Sequence, residues 1–218
     1  MMWDPLRLSL QVTACATLIV AVTGIGLGYL LARRPFRGRA LVDAIASAPI
    51  VMPPTVLGYY LLVAVGRNSP IGRAWEAVFG SPLVFSWQGA VLAASVASFP
   101  FCLRSARAAI ESIDRRYEDA GRVMGMPGWR VATQITLPLA RRGLLAGVAL
   151  SFARALGDFG TTVMVAGNIP GRTQTMPIAV YDAVQAFDYD RAGILAMVLL
   201  AVAVTVLVVV RRLERSAV

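Results

Sequence analysis

Five long apolar runs constrain the fold of this chain more than any other feature of its sequence. They cover residues 8–32, 41–65, 87–103, 143–165 and 192–210, with polar or arginine-rich connections between them. A helix of about 20 mostly apolar residues is long enough to cross the hydrocarbon core of a bilayer. Charged residues make up only 15% of the chain, against about a quarter in soluble domains. The sequence therefore predicts an all-α integral membrane protein with about five transmembrane helices.

The second run differs from the others because prolines interrupt it at Pro49, Pro53 and Pro54. Proline lacks the backbone N–H that a helix interior needs, so a break or kink is expected there. We therefore predict a short interfacial helix around residues 41–48 and a transmembrane span over about 54–65. Pro53 and Pro54 either start that span or form a functional break in it.

The arginines determine the predicted orientation of these spans. Four of them lie between the first and second runs, eight lie between the third and the fourth, and three follow the fifth. That places fifteen on one side of the membrane and five on the other, and positively charged connections stay in the cytoplasm. We therefore expect the N-terminus outside and the C-terminus in the cytoplasm. The short length of residues 176–187, together with Asp182, argues against a sixth crossing there.

Histidine and lysine are both absent, and their absence excludes several classes of protein. All 21 basic residues are arginines. P-loops need a lysine, while histidine-based zinc sites and Ser-His-Asp catalysis need a histidine. We expect no catalytic residue and no bound metal. The net charge of +9 comes from arginines at the ends of apolar runs, so it indicates membrane orientation rather than nucleic-acid binding. Cys15 and Cys102 lie in apolar runs, which favours buried free thiols over a disulfide.

The connection between the third and fourth runs, residues 104–142, is long and has helical apolar spacing. Ile110, Ile113 and Tyr117 recur at helical intervals, and glycine and proline interrupt the segment further along. The pattern predicts a helix, a turn and a second helix over 129–136, all parallel to the membrane. Such a segment either lies on lipid headgroups or docks in a groove of another protein. Acidic residues in its first helix favour the protein groove, because the cytoplasmic leaflet is itself anionic.

One motif in this segment carries a resemblance to a known family. The sequence reads Asp119-Ala120-Gly121, three residues, Gly125, nine residues, and then Ile135-Thr136-Leu137-Pro138. It resembles the cytoplasmic motif of permeases of binding-protein-dependent ABC importers, which is Glu-Ala-Ala, three residues, Gly, nine residues and Ile-x-Leu-Pro. The chain departs from that motif in having Asp119 for the glutamate and Gly121 for the second alanine, with Glu118 one position earlier.

Four further stretches narrow the resemblance to the permease subunits of molybdate importers. They cover residues 49–59, 85–94, 152–160 and 168–177. Sulfate and thiosulfate permeases are similar in the last two, but the short length of this chain favours the molybdate branch. The resemblance implies a single transmembrane permease domain over residues 1–218, with a coupling segment at about 109–138. It would move molybdate across a bacterial or archaeal cytoplasmic membrane, and the alternative cargo is sulfate, thiosulfate or tungstate.

The resemblance also implies partners and assigns the chemistry to them. A separate ATPase subunit would use ATP and Mg and close on residues 118–125, while this chain would bind no cofactor and no nucleic acid. A periplasmic or extracellular oxyanion-binding protein would deliver the anion, and a second copy of the chain would complete the path. The coupling residues that it implies are Glu118, Asp119, Ala120, Gly121, Gly125, Ile135, Leu137 and Pro138.

Arg154 and Asp158 lie inside the fourth run, where charged residues are costly and usually functional. At a spacing of four residues they share one face of a helix and can form an ion pair. The pair either stabilises helix packing or lines the path, where Arg154 would draw or gate an anion. We assign Gly157 and Gly160 to the same region, where the glycines of this run either permit close helix packing or act as hinges.

The polar stretch over 168–177 is predicted to lie outside the membrane. Its glycines, prolines and hydroxyls indicate a structured turn, and the resemblance implies that a binding protein docks nearby. Asn168, Arg172 and Thr173 are the candidate contacts, and a solvated loop without a partner is the alternative.

Two other classes of membrane protein fit this sequence less well. An ion-coupled secondary carrier usually places several carboxylates or histidines within the membrane, and this chain has one clear candidate, Asp158. The long cytoplasmic segment would also have no role in a carrier. An intramembrane protease needs catalytic groups that the sequence lacks, such as a histidine or two aspartates on separate spans.

Overall fold

Helices provide all the regular secondary structure in the part of the chain that the computed structural model describes, residues 3–216. In chain order they are α1 (Trp3–Arg33), α2 (Arg39–Ser47), α3 (Pro54–Val65), α4 (Pro70–Phe79), α5 (Trp87–Glu111), α6 (Arg115–Val123), α7 (Gly128–Val131), α8 (Leu137–Leu156), α9 (Gly160–Ala166), α10 (Met176–Gln185) and α11 (Tyr189–Ser216). A 3₁₀ turn, Ala48–Ile50, extends α2, and a π-helical turn, Ala132–Thr136, joins α7 to α8. The predicted all-α class is confirmed.

Four helical segments within residues 3–216 are long and apolar enough to cross a membrane: α1, α5, the continuous α7–α8 segment and the apolar part of α11. A fifth crossing requires that α2 and α3 count as one broken span, because their axes meet at an angle of 116°. With its 12 residues α3 extends only about 18 Å, at about 1.5 Å per residue. The predicted bounds 54–65 are those of α3. A crossing here requires α2 and α3 together, and Pro53 and Pro54 mark the break between them as well as the start of α3.

Two predicted helix boundaries, in the third and fourth apolar runs, differ from the structure. The fourth run does not form one helix over 143–165, because α8 ends at Leu156 and α9 begins at Gly160. The third run does not end at residue 103, because α5 continues to Glu111. Arginine has a good helix propensity, so the two arginines in this extension do not end the helix.

The core of the molecule is formed by α1, α5 and α8, which approach closely through small residues. A Cβ atom added at Gly147 of α8 would lie 2.7 Å from the Cβ of Ser105 of α5, and one at Gly143 would collide with Ala109. A Cβ added at Gly28 of α1 would lie 3.1 Å from the Cβ of Ala106 of α5. Gly143 and Gly147 therefore serve close packing. Both cysteines are free, as predicted.

The short helices α3 and α9 pack side by side in the same direction. A Cβ atom at Gly160, the first residue of α9, would lie 2.9 Å from the Cβ of Pro54, the first residue of α3. One turn further along, a Cβ at Gly58 would lie 2.7 Å from the Cβ of Met164. The hydroxyl of Thr161 donates to the carbonyl of Pro54 at 3.3 Å. The two breaks in the transmembrane helices are thereby brought together.

Candidate coupling and translocation sites

The motif over residues 119–138 covers most of the short helix α6, the turn that follows it, α7 and the start of α8. Asp114 caps the start of α6 by accepting a hydrogen bond from the backbone N–H of Arg116 at 2.9 Å. At the other end, Gly125 has a φ of 78°, and the N–H of Met126 donates to the carbonyl of Gly121 at 3.1 Å. A left-handed residue directly after a helix is usually glycine, because other side chains are strained there. Gly125 therefore ends α6.

The predicted helix-turn-helix differs from the structure in its boundaries. Ile110 belongs to the last turns of α5, and a new helix, α6, begins only at Arg115. The predicted second helix over 129–136 is not separate either, because α7 and the π-helical turn run directly into α8. The predicted coupling segment thus consists of the single helix α6, the last turns of α5, and the α7 segment that continues into α8.

Glu118 faces the interior of the protein. Its side chain is 1% exposed, and its Oε1 atom accepts hydrogen bonds from Arg33 Nε at 2.7 Å and from the hydroxyl of Thr136 at 2.8 Å. Its Oε2 atom accepts a longer one from Arg122 at 3.4 Å. Sequence reasoning named Glu118 as a candidate coupling residue, and the structure encloses its carboxylate among these three donors.

Arg33 is a functional candidate that sequence reasoning missed. It is the last residue of α1, its side chain is 7% exposed, and it also donates to the carbonyl of Ile113 at 3.0 Å. Arg33 and Glu118 are 85 residues apart in sequence, so no local pattern connects them. Only the cluster of arginines after the first apolar run, which was interpreted as an orientation signal, marked this position.

The outer side of α6 and the turn after it carry large apolar side chains that are exposed. We call this surface the coupling face, and it consists of Tyr117, Val123, Met124 and Trp129, which are 59%, 89%, 74% and 65% exposed. Tyr117 and Met124 are seven residues apart, so they lie on the same side of α6. Asp119 and Ala120 are also exposed. Large side chains of this kind, grouped on one surface, indicate a site of protein interaction.

The remaining motif residues stabilise α6 against the start of α8. Gly121 is buried, and Ile135 Cδ1 fills its missing side-chain space, because it lies 2.6 Å from where a Cβ would be. Leu137 packs on the core cluster around Ile110. Pro138 is the second residue of α8 and directly follows the π-helical turn, where a local change of helix geometry accommodates the N–H that proline lacks. The substitution of glycine for alanine in the motif is therefore accommodated by another residue of the same motif.

Arg154 and Asp158 form the predicted ion pair, with Arg154 NH1 2.9 Å from Asp158 Oδ1. The pair does not lie within a continuous helix, because Arg154 is in the last turn of α8 and Asp158 is in the break before α9. Asp158 is 1% exposed, and its Oδ2 atom also accepts hydrogen bonds from the N–H and the hydroxyl of Thr162 at 2.9 and 2.7 Å. Asp158 therefore stabilises the first turn of α9.

The exposures of the two charged residues differ. Arg154 is 27% exposed while Asp158 is enclosed, so the guanidinium is the accessible member of the pair. Gly157 lies in the break with no close neighbour beyond its own helix, whereas Gly160 packs directly on Pro54. An accessible arginine beside a helix break can attract an anion, and its carboxylate partner keeps its resting charge balanced.

The polar loop after α9 is held in place by hydrogen bonds to α10 and α1. Gln174 donates to Asn168 Oδ1 at 2.9 Å, and Asn168 donates to Asp182 Oδ1 at 3.0 Å. The backbone N–H of Met176 donates to the hydroxyl of Ser9 at 2.7 Å. Sequence reasoning did not single out Gln174, Asp182 or Ser9 for this loop, and Ser9 lies 167 residues from Met176 along the chain.

The three docking candidates in this loop have different surroundings. Thr173 is 1% exposed, and its hydroxyl accepts a hydrogen bond from the backbone N–H of Ile169 at 3.1 Å. The side chain of Thr173 therefore shapes the loop from within, and its part in docking stays a prediction. Asn168 and Arg172 are exposed.

Comparison with known proteins identifies the family of this chain. Residues 24–216 match the family model described as a binding-protein-dependent transport system inner membrane component. The chain belongs to this family. The match begins within α1 and ends within α11, so it includes the coupling face, the helix breaks and the polar loop after α9. The protein is therefore an integral, multi-pass component of an inner membrane transport system.

Curated relatives of this transport component carry permease names. It is 46% identical over 183 residues to the molybdenum transport system permease protein ModB of Escherichia coli K12, which covers 84% of this chain and 80% of the relative. It is 43% identical over 181 residues to the putative molybdenum transport system permease protein YvgM of Bacillus subtilis, with 83% and 80% covered. The sulfate transport system permease protein CysT of Escherichia coli K12 is 33% identical over 199 residues, with 91% and 72% covered.

Solved structures show that the fold is shared with more distant transport components. A bacterial ABC transporter that imports alginate aligns with a TM-score of 0.78 at 15% identity, covering 98% of this chain and 78% of that chain. An inward-facing MetNI methionine ABC transporter aligns with a TM-score of 0.77 at 19% identity, covering 100% and 98%. At these identities the likeness establishes the fold alone.

Proposed function

We propose that this chain is the permease subunit of an ATP-binding-cassette importer that moves molybdate across the cytoplasmic membrane. The observation that carries the proposal is the 46% identity to a molybdenum transport permease over 84% of the chain. The sulfate permease is 33% identical over a similar length, so the molybdenum permeases are the nearer of these relatives. Tungstate, a similar tetrahedral anion, is an alternative cargo.

The proposed partner at the coupling face is a separate ATPase subunit. The coupling face exposes apolar side chains to solvent, at Tyr117, Met124 and Trp129. A short helix with an exposed apolar face fits a groove on another protein. The ATPase would bind ATP and Mg, and this chain would bind no cofactor. Its closing movement would displace α6 and switch the path between inward-open and outward-open states.

The proposed orientation places α6 in the cytoplasm and the loop over 168–177 outside. The arginine bias supports it, because fifteen arginines lie on the side of α6 in this topology. The N-terminus is then outside and the C-terminus is cytoplasmic. Asn168 and Arg172 face a periplasmic or extracellular oxyanion-binding protein in this arrangement, and Arg172 supplies a positive charge to an acidic partner.

A second copy of the chain is the proposed partner within the membrane. About five spans form too narrow a wall to enclose a translocation path on their own. In addition, α3 leaves three large side chains exposed, Tyr59, Tyr60 and Val63, at 54%, 59% and 58%. The homodimer would enclose one path between two copies of the paired helices α3 and α9. In it Arg154 of each copy would lie beside a helix break and attract the passing oxyanion, as anion-selective pores use arginine.

Anion competition in proteoliposomes tests the cargo. The permease would be reconstituted with its ATPase and binding protein, and uptake of labelled molybdate would be followed in the presence of excess sulfate. We expect molybdate uptake to continue, because the nearer relatives are molybdenum permeases. Uptake that sulfate blocks, with labelled sulfate entering instead, would transfer the chain to the sulfate branch and refute the molybdate assignment.

A further inference from the structure

Glu118 is a buried carboxylate that the proposed docking of the ATPase does not use. Its side chain is 1% exposed and turned away from the coupling face on the same helix. Removing a charged carboxylate from water is costly unless donors replace the lost water, and a single missing donor leaves an uncompensated buried charge. The burial and pairing of Glu118 therefore indicate a role other than direct contact with another subunit.

The donors to Glu118 come from three different elements. Arg33 is the last residue of α1, Thr136 is the last residue of the π-helical turn before α8, and Arg122 belongs to α6 itself. Both short hydrogen bonds, at 2.7 and 2.8 Å, go to the same oxygen and come from the two membrane-spanning segments. A charge-assisted hydrogen bond is about twice as strong as a neutral one. Glu118 thus joins α6 to both spans at one point.

A packed apolar layer supports this junction. Ala32, Ala106, Ile110, Ala140 and Leu144 form a buried cluster, with Ile113 and Leu137 packed against it. It contains the residue before Arg33 and a residue one turn after Thr136. Close-packed interiors have low compressibility and transmit displacement instead of absorbing it. A movement of Glu118 is therefore passed to the ends of α1 and α8.

We propose that Glu118 and Arg33 form the linkage through which displacement of α6 reaches the transmembrane helices. The inference rests on the proposed function, because it requires an ATPase that moves α6. Glu118 is a positioning residue, which acts through α1 and α8 and touches neither the anion nor the nucleotide. Because α8 carries Arg154 near its other end, the linkage connects the coupling face to the helix break.

The test compares Glu118→Gln with the wild type in the complete reconstituted importer. Glutamine retains the shape of the side chain and one acceptor oxygen but removes the charge that holds Arg33. We expect the ATPase to remain bound and to hydrolyse ATP, while molybdate taken up per ATP hydrolysed falls by about tenfold or more, a size typical of a lost coupling between sites. The matched control is Glu76→Gln on α4, whose ion pair with Arg67, at 2.8 Å, is exposed.

A second variant separates linkage from folding. Arg33→Met combined with Glu118→Met replaces the buried pair with apolar side chains, a change that often leaves stability intact. It should fold, bind the ATPase and show the same low uptake per ATP. If Glu118 and Arg33 only stabilise the fold, these variants should lower molybdate uptake and ATP hydrolysis together and leave their ratio unchanged. That result would overturn the proposal. Loss of ATPase binding in Glu118→Gln would also overturn it, whereas a wild-type chain that binds no ATPase would refute the proposed function instead.

Discussion

Arg154 is the accessible member of an ion pair whose other member is enclosed. Its side chain is 27% exposed at the end of α8, and Asp158 is already held by Thr162 on its second oxygen. The pair would stabilise the helix break even if no anion passed, so its geometry alone leaves both roles open. Substitutions that retain or remove the charge distinguish them.

Arg154→Leu should abolish molybdate uptake while the protein remains in the membrane. The guanidinium supplies the positive charge that an oxyanion needs along its route, and leucine supplies none. Arg154→Leu combined with Asp158→Asn controls for the unpaired carboxylate, and it should be equally inactive. The test measures molybdate uptake and the amount of each variant in the membrane. Wild-type uptake by either variant would show that the pair only packs helices.

Gly147→Leu should destabilise the core, because Ser105 and the backbone of α5 leave no room for a side chain there. Forcing extra atoms into a packed interior costs about 1–3 kcal/mol. The matched control is Gly26→Leu on α1, where no atom lies within 4 Å of an added Cβ. Thermal unfolding in detergent should give a lower Tm for the first variant than for the control. Equal values would contradict the close approach of α5 and α8.

At the level of helices, α6 depends on a defined end. Gly125→Val should weaken it, because a β-branched residue is strongly disfavoured at a φ of 78°. Gly128→Val is the control, since Gly128 has open space around it and an ordinary φ. The expected result is reduced retention of the ATPase on the purified permease for Gly125→Val alone. Full retention by both variants would show that the end of α6 has no part in docking.

The coupling face should account for most of the binding between this helix and the ATPase. Tyr117→Ala combined with Met124→Ala removes large apolar contacts, and truncating central residues of an interface typically costs more than about 1 kcal/mol each. The control is Val78→Ala with Phe79→Ala on α4, where both side chains are also exposed, at 75% and 60%. Titration of ATPase onto the permease in detergent should show weaker binding only for the α6 variant. An unchanged Kd would contradict docking at this face.

The sequence predicted those helices whose position depends on apolar periodicity and length. It predicted poorly the breaks and side-chain directions that depend on contacts between distant residues. The apolar runs predicted the helical class and the four long segments. The break at 157–159 was missed, because it depends on Asp158 stabilising the next helix through Thr162. The motif located α6 but not the direction in which Glu118 points, since Arg33 and Thr136 reach it from far along the chain and from the π-helical turn.

For the whole molecule, the helix breaks and the coupling face lie at opposite ends of α8. At one end α8 follows the π-helical turn that donates to Glu118, and at the other it carries Arg154 beside the break. A helix of 20 residues is about 30 Å long, comparable to the hydrocarbon core. One rigid element can therefore connect the coupling face to the helix break.

The most direct measurement is molybdate uptake by proteoliposomes that contain this permease and its binding protein, with and without the ATPase and ATP. Uptake should require both ATP and the ATPase, because the proposed mechanism needs a partner subunit to move α6. Uptake that is driven by an ion gradient alone, in liposomes that lack the ATPase, would contradict this mechanism and identify the protein as a secondary carrier.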